Sequence, residues 1–143
     1  MIDRWHADAD PCPSCPYRRD VPSGVWAASE YDRLPGYDGE ISAQVAAHAW
    51  ATFGCHQGDG TVCRGWLGHR DPAELLAVRV AILRSELPPD ACDYATDVPL
   101  FATGKEAAEH GRRDIAAPGD KARQAADKIV RVRRVRGVEV DLG

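Results

Sequence analysis

The sequence has no long apolar run and none of the common nucleotide-binding or hydrolytic motifs. No apolar stretch reaches the roughly 18 residues of a membrane span. The first residues carry neither a basic patch followed by an apolar region nor a twin-arginine motif. A P-loop, a dinucleotide fingerprint and a nucleophile elbow are absent. We therefore expect a cytoplasmic protein without a membrane partner, and an enzyme is the less favoured class.

An excess of positive charge is also missing. The chain has 18 lysines and arginines against 22 acidic residues, a formal net charge of -4. This balance excludes a protein that coats nucleic acid over its whole surface, so any such site must be local. The length of 143 residues fits one domain that can bury a core without disulfides or metal.

Five cysteines are unusual in a chain expected to be cytoplasmic, where disulfides are disfavoured. Cys12 and Cys15 lie in DPCPSCPYRRD, and Cys55 and Cys63 lie in FGCHQGDGTVCRGW. A Cys-x-x-Cys turn lets two thiolates converge on one ion, and the glycines around the second pair allow the loop to fold back. We predict a shared metal site at these four cysteines and a core position for Cys92.

The four thiolates suit two different cofactors. Tetrahedral sulfur sites hold either zinc or iron–sulfur clusters. Zinc is the more general choice for a small domain with this turn, and a 4Fe-4S cluster is the alternative because Cys-Pro steps occur beside such clusters. A reactive dithiol at Cys12 and Cys15 ranks below both, since the flanking prolines do not fit a strand-to-helix redox motif.

Two histidines near the cysteines are further candidates. His56 follows Cys55 directly, and His69 lies in WLGHRD. Either could replace a thiolate as a ligand. For His56 we favour a hydrogen bond to a thiolate or a backbone carbonyl. If either histidine completed an open site, a metal-dependent hydrolase would be a third, less favoured function.

Seven arginines could contact the phosphates of a nucleic acid. They lie beside the cysteines and in the C-terminal tail: Arg18, Arg19, Arg64, Arg131, Arg133, Arg134 and Arg136. Acidic residues are interspersed among them, which favours a solvated face that also compensates the charge of the thiolates.

The hydrophobic pattern predicts helices at residues 26–34, 39–54, 71–90, 103–111 and 119–128. The clearest is 71–90, where Asp71 is the expected cap and the apolar row is Leu76, Val80, Leu83 and Leu87. The last stretch alternates valine with charge and breaks at Gly137, which indicates two short strands, although its first half could also continue a helix.

These elements predict an α+β fold that is mostly helical and loop-rich. We expect a small single domain organised around a four-cysteine metal centre, with a short C-terminal β-hairpin as an option. Residues 1–117 would be the metal-centred globular domain, and residues 118–143 a helix or strand extension.

Several motifs in this order resemble a set of small, uncharacterised cysteine- and histidine-containing proteins of high-GC bacteria and their phages. They are CPSCPYRRDVPSGVW, EYDRLPGYD, FGCHQ, CRGWLGH and DVPLFATGKEAAEHG. The resemblance covers most of the chain up to Gly111 and implies that both cysteine pairs, His56 and residues 64–66 share a common core. It carries no established activity.

A weaker resemblance is to the WhiB-like iron–sulfur regulators. These proteins also combine a Cys-x-x-Cys-Pro element with a Gly-Val-Trp turn, which here is Gly24-Val25-Trp26. The order of the cysteines and their distance from that turn differ from the WhiB pattern, so DNA-linked function is not carried over.

The favoured function is a zinc-binding interaction or regulatory module with an unknown protein or nucleic-acid partner. The alternative is an iron–sulfur protein that acts as a redox sensor or electron carrier.

Overall fold

The computed structural model describes residues 5–55, 61–135 and 137, and over these residues the protein is helical. The α-helices are α1 (Ala28–Asp32), α2 (Ile41–Ala46), α3 (Arg64–Gly68), α4 (Leu76–Leu83), α5 (Gly104–Arg112) and α6 (Asp120–Val135). Short 3-10 helices occupy Leu34–Tyr37, Pro72–Glu74 and Pro89–Asp93. None of the helices described here is both long and apolar enough to cross a membrane.

The predicted α+β class and C-terminal hairpin are wrong. Within the described ranges, strand pairing is limited to two isolated antiparallel bridges, Arg18–Leu100 and Gly54–Val62. Helix α6 runs through the segment that was expected to form the first strand. The reason is that Ala122, Ile129 and Arg133 recur at helical spacing and are the buried residues of α6. Residues 138–143 lie outside the described part, and the division after residue 117 stays a prediction.

The expectation that the fold is organised around a four-cysteine metal centre is also wrong. Among the described residues, no group of three or more histidine, cysteine or acidic side chains is arranged to hold an ion. The core is instead mainly aromatic and aliphatic, and its largest fully buried aromatic and aliphatic side chains are Trp66, Tyr17, Tyr31, Phe53, Leu34, Leu67, Leu75 and Val78. Dispersion and apolar burial therefore organise the fold.

The long helix predicted at residues 71–90 is broken near its start. Asp71 caps only the short Pro72–Glu74 segment, and Leu75 is extended before α4 begins. The buried amide of Gln44 replaces the expected cap, because its Oε1 accepts a hydrogen bond of 2.8 Å from the Leu76 amide. Leu75 and Val78 lie in the core with Leu87, whereas Leu83 is 86% exposed, so the predicted row is not the buried face of α4.

The helix predicted at residues 39–54 covers only α2. It ends at Ala46, and His48 has a positive φ of 55° that no helix accommodates. The chain then turns back, with the Ala49 amide donating to the Gln44 carbonyl at 3.0 Å. The early ending leads the chain towards Cys55 as an extended segment.

Helix α5 packs closely against α1 and the 3-10 helix Leu34–Tyr37, as two of its glycines allow. A Cβ on Gly104 would fall on the Leu34 carbonyl, and a Cβ on Gly111 would fall on the ring of Tyr31. The predicted cap of α5 is confirmed, since the Thr103 hydroxyl accepts from the Glu106 amide at 3.1 Å. The Tyr31 hydroxyl in turn accepts from the Trp26 amide at 3.0 Å. This hydrogen bond ties the ring of Tyr31 to the segment just before α1.

Substitution Gly111→Ala should lower the free energy of unfolding by about 2 kcal/mol, because overpacking against Tyr31 displaces α5. At an exposed helix position without such a contact, the same change would raise the free energy of unfolding by up to about 1 kcal/mol. Urea unfolding monitored by circular dichroism measures the difference. Gly36→Ala is the control, since its Cβ would meet only the Ala47 methyl at 3.5 Å. Equal stability of the two variants would contradict the tight contact.

Candidate metal centre

One cavity brings the four predicted cysteine ligands together. It has a volume of about 170 Å³, and its lining includes Cys12, Cys15, Cys55 and Cys63. His6, Asp10 and Arg64 add polar groups to the same wall. The two cysteine pairs are thus close in space although about 40 residues separate them along the chain.

Local backbone bonds shape the turn that carries the first pair. The Cys15 amide donates to the Cys12 carbonyl at 3.0 Å, as a tight turn requires. The indole of Trp26 donates to the Ser14 carbonyl at 2.8 Å, and the Arg18 guanidinium donates to the Pro11 carbonyl at 3.2 Å. A core side chain and an arginine therefore hold the turn from both sides.

The second pair is brought together where the chain folds back on itself. The Cys55 amide donates to the Thr61 carbonyl at 2.8 Å, and the Cys63 amide donates to the Phe53 carbonyl at 2.7 Å. Cys63 also caps α3, because its sulfur accepts from the Trp66 amide at 3.4 Å. The predicted return of this loop is consistent with these bonds, while residues 56–60, including His56, lie outside the described part of the chain.

The sulfur atoms meet where α3 approaches the first turn. Cys15 Sγ and Cys63 Sγ are 3.7 Å apart, well beyond the roughly 2.05 Å of a disulfide. The approach depends on Gly65, since a Cβ at that position would fall on Cys15 Sγ. Both sulfurs are almost fully buried.

The cysteines differ strongly in their acidity. Hydrogen bonds from the thiols of Cys15 and then Cys55 lower the pKa of Cys12 to about 3. Burial, together with the neighbouring sulfurs of Cys12 and Cys63, raises the pKa of Cys15 well above its usual value. Ionisation is therefore favoured at Cys12 and disfavoured at Cys15, so a cation that binds both sulfurs would have to displace the proton of Cys15.

His69 is not among the residues that line the cavity, and its side chain is fully buried. Its Nε2 is 2.8 Å from Asp38 Oδ2, and its Nδ1 is hydrogen-bonded to the Trp66 carbonyl. Both ring nitrogens are engaged, so service as an alternative metal ligand would require His69 to give up one of these bonds. That role stays a prediction.

Asp38 is held ionised in a mostly buried position. Its Oδ2 accepts from the Gly104 amide at 2.7 Å as well as contacting His69. Burial alone would raise the pKa of Asp38, but the hydrogen bonds from His69 and Gly104 outweigh it and lower that pKa. The pair joins the start of α5 to the end of α3.

Tyr17 separates this pair from the sulfur atoms. Its ring lies 4.7 Å from the ring of His69 and 6.4 Å from that of Phe53. Its hydroxyl is buried without a hydrogen-bond partner among the described residues. Burial, followed by the nearby Cys63 and Asp38, raises the pKa of Tyr17 well above its usual value. The phenol is thus a neutral spacer between two polar clusters.

Three of the predicted phosphate-binding arginines make structural contacts. Arg18 forms a two-point pair with Asp20 at 2.8 and 2.7 Å. Arg64 is only 7% exposed, and Arg133 reaches Glu30 at 3.3 Å from a buried position. These contacts reduce what each guanidinium can offer a phosphate.

The other arginines are more accessible. Arg19 is about half exposed, although its Nε donates to the Leu100 carbonyl at 3.0 Å. Arg131 and Arg134 are exposed on α6, and Arg136 lies outside the described residues. Nucleic-acid contact by these arginines stays a prediction.

The sequence reasoning missed the N-terminal wall of the cavity. His6, Ala9 and Asp10 line the cavity from this side. The Tyr94 hydroxyl donates to the Ala9 carbonyl at 2.6 Å, and burial raises the pKa of that phenol to about 12, which keeps it a donor. The partners are 85 residues apart, and no local pattern connects them.

The fold and the cavity define a small helical domain with a cysteine-lined pocket. The profile of a family of unknown function (DUF6283) matches residues 7–134, so the chain belongs to this family. This confirms the expectation of an uncharacterised family. No curated protein and no solved structure matches the chain.

Substitution Asp38→Asn should lower the free energy of unfolding by about 3 kcal/mol at pH 7, because it breaks a buried pair and leaves His69 without its carboxylate. The pKa of Asp38 is lower in the folded chain than the roughly 3.9 of an unfolded one, so its ionisation stabilises the fold above that pH. This stabilisation is lost as the pH falls through the pKa that Asp38 has in the folded protein. The free energy of unfolding of the variant should then approach that of the wild type.

Chemical unfolding at pH 7 and pH 3 measures this difference. Glu74→Gln is the control, because its pair with Arg70 is largely exposed and should contribute at most about 0.5 kcal/mol. A loss for Asp38→Asn that is the same at both pH values would contradict the assignment.

Proposed function

We propose that the cysteine cavity binds one zinc ion through Cys12, Cys15, Cys55 and Cys63 and that the protein acts as an interaction or regulatory module. The observation that carries the proposal is the distance of 3.7 Å between Cys15 Sγ and Cys63 Sγ. Zinc–sulfur bonds of about 2.3 Å in a tetrahedron place neighbouring sulfurs about 3.8 Å apart. This pair is therefore spaced for one ion, and Cys12 and Cys55 would move to complete the set.

The remaining two cysteines line the same cavity, although they are not arranged with the first pair around a single point and would have to move to bind the ion. The Cys12 thiol interacts with Cys15 and Cys55, so the four sulfurs form a continuous chain of neighbours. Zinc binding would deprotonate Cys15, and the positive charge of the ion would offset the cost of burying the resulting thiolate.

Nearby cations would offset the charge of the filled site. Four thiolates around a divalent ion carry a net charge of about -2. Arg18 lies beside the turn, and after Asp20 the sulfurs of Cys15 and Cys12 contribute to its raised pKa. Arg64 lines the cavity itself. The two arginines thus support an anionic site at this end of the domain.

An iron–sulfur cluster is the second candidate, with a role as redox sensor or electron carrier. The cavity of about 170 Å³ favours it, since a single water needs only about 10–15 Å³ of such space and a zinc ion is smaller than a water. The close sulfur pair speaks against it, because each cysteine of a 4Fe-4S cluster binds a different iron and the sulfurs lie farther apart. We rank zinc first for this reason.

The proposal also includes the source of the protein and its cellular compartment. The motif resemblance and the excess of arginine over lysine support a high-GC bacterium or its phage. The absence of a disulfide among the five cysteines, all of which lie in the described ranges, supports a reducing, cytoplasmic compartment. The partner would be a protein or a nucleic acid, and the exposed Arg131 and Arg134 are the contacts to test for the latter.

Metal and acid-labile sulfide analysis of protein purified without oxygen and without added metal tests the proposal. We expect about one zinc per chain and no visible absorption band. Cys15→Ser and Cys63→Ser should each weaken zinc binding on the order of 100-fold or more in competition with a coloured chelator. Cys92→Ser is the matched control, because Cys92 is outside the cavity lining and should keep wild-type affinity.

Two results would decide against zinc. A brown protein with labile sulfide would favour the cluster. A folded protein that holds neither zinc nor iron would remove both candidates.

A further inference from the structure

The N-terminal residues 5–10 form one side of the cysteine cavity. His6, Ala9 and Asp10 line it from this segment. The segment is a turn without helix or strand, and the Ala9 amide donates to the His6 carbonyl within it at 3.2 Å. Side chains from distant parts of the chain hold the turn in place.

Arg64 is the first of these side chains. Its guanidinium lies over the ring of Trp5 at 4.2 Å and near that of Tyr94 at 5.5 Å. It also donates to the His6 carbonyl at 3.1 Å. An arginine between two aromatic faces is a favourable cation–π arrangement. Because Arg64 directly follows Cys63, the residue that holds the segment is next to a proposed ligand.

Two hydrogen bonds fix the other end of the segment. The Tyr94 hydroxyl donates to the Ala9 carbonyl at 2.6 Å, and the Thr96 hydroxyl donates to Asp10 Oδ1 at 3.0 Å. Trp5 and Tyr94 also meet edge to face with ring centres 6.3 Å apart. The attachment therefore depends on a few side-chain contacts rather than on a backbone ladder, as is typical of segments that open locally.

We propose that residues 5–10 are a retractable wall of the cysteine cavity, which Arg64, Tyr94 and Thr96 hold closed and which sets how fast metal and other thiol reagents reach the sulfurs. The regulation of metal exchange rests on the proposed zinc binding. The control of access to the cysteines is independent of zinc binding.

Substitution Tyr94→Phe tests the wall by removing one hydroxyl and keeping the ring. Opening then breaks one hydrogen bond fewer, so zinc should pass to an excess of a coloured chelator about 5-fold faster than from the wild type. Thr96→Val removes the bond to Asp10 and should act in the same direction. The zinc content and the circular dichroism of both variants should match the wild type.

Tyr31→Phe is the matched control. It also removes one tyrosine hydroxyl that is hydrogen-bonded, here to the Trp26 amide, but it does not touch the wall. Zinc transfer from this variant should match the wild-type rate after correction for any change in global stability. A faster rate for Tyr31→Phe than for Tyr94→Phe would overturn the proposal.

The rate of cysteine labelling by a maleimide separates the wall from the metal. On chelator-treated full-length protein, Tyr94→Phe should label Cys12 and Cys15 about 5-fold faster than the wild type. Cys92 is the internal control and should label at the same rate in both. Labelling is resolved by peptide mass mapping.

The outcomes distinguish the two proposals. Zinc bound at one per chain with unchanged transfer and labelling rates in Tyr94→Phe and Thr96→Val would refute the wall and leave zinc binding intact. Absence of zinc together with faster labelling would refute zinc binding and support the wall as a gate for the thiols.

Discussion

The close approach of α3 to the Cys12–Cys15 turn is the constraint on which the rest of the structure depends. Gly65 leaves no room for a side chain between the helix and Cys15 Sγ. With the helix that near, Cys63 at its start reaches Cys15, and Trp66 one turn later fills the centre of the core. His69 at its end then meets Asp38. A helix of five residues thus positions a thiol, a core aromatic and a buried histidine–carboxylate hydrogen bond at once.

The two polar clusters beside α3 offset the cost of burying polar groups in different ways. Asp38 and His69 compensate each other and use a backbone amide and a carbonyl for their remaining bonds, so the cluster is complete within the chain. The sulfurs do not reach the same balance, because burial, and then the neighbouring sulfurs of Cys12 and Cys63, raises the pKa of Cys15. A bound cation would offset the negative charge of the cysteine cluster, as the contact with His69 stabilises the Asp38 carboxylate in the first cluster. This contrast is the physical basis for locating the functional site at the cysteines.

Features with local causes were predictable from the sequence. The Cys-x-x-Cys turn, the Thr103 cap and the return of the chain towards Cys63 depend on residues close together in sequence. Gln44, in contrast, breaks the predicted helix through a bond to an amide 32 residues away. The alternation of valine and charge near the C terminus fits both the two-residue repeat of a strand and the spacing of a helix. Burial of Ile129 and Arg133 on one face stabilises the helix. The N-terminal wall and the Asp38–His69 pair depend on contacts that only the folded chain shows.

The sequence distance between the wall and its partners has a consequence for synthesis of the protein. Ala9 and Asp10 find Tyr94 and Thr96 only after 85 or more further residues have been made, whereas the sulfur of Cys63 is present much earlier. Contacts of such long range form late, since loop closure must precede them. During translation at roughly 5–20 residues per second, the four cysteines therefore all emerge before the cavity can close over them. For a period of seconds the thiols of the nascent chain are accessible to a metal ion and equally to oxidants.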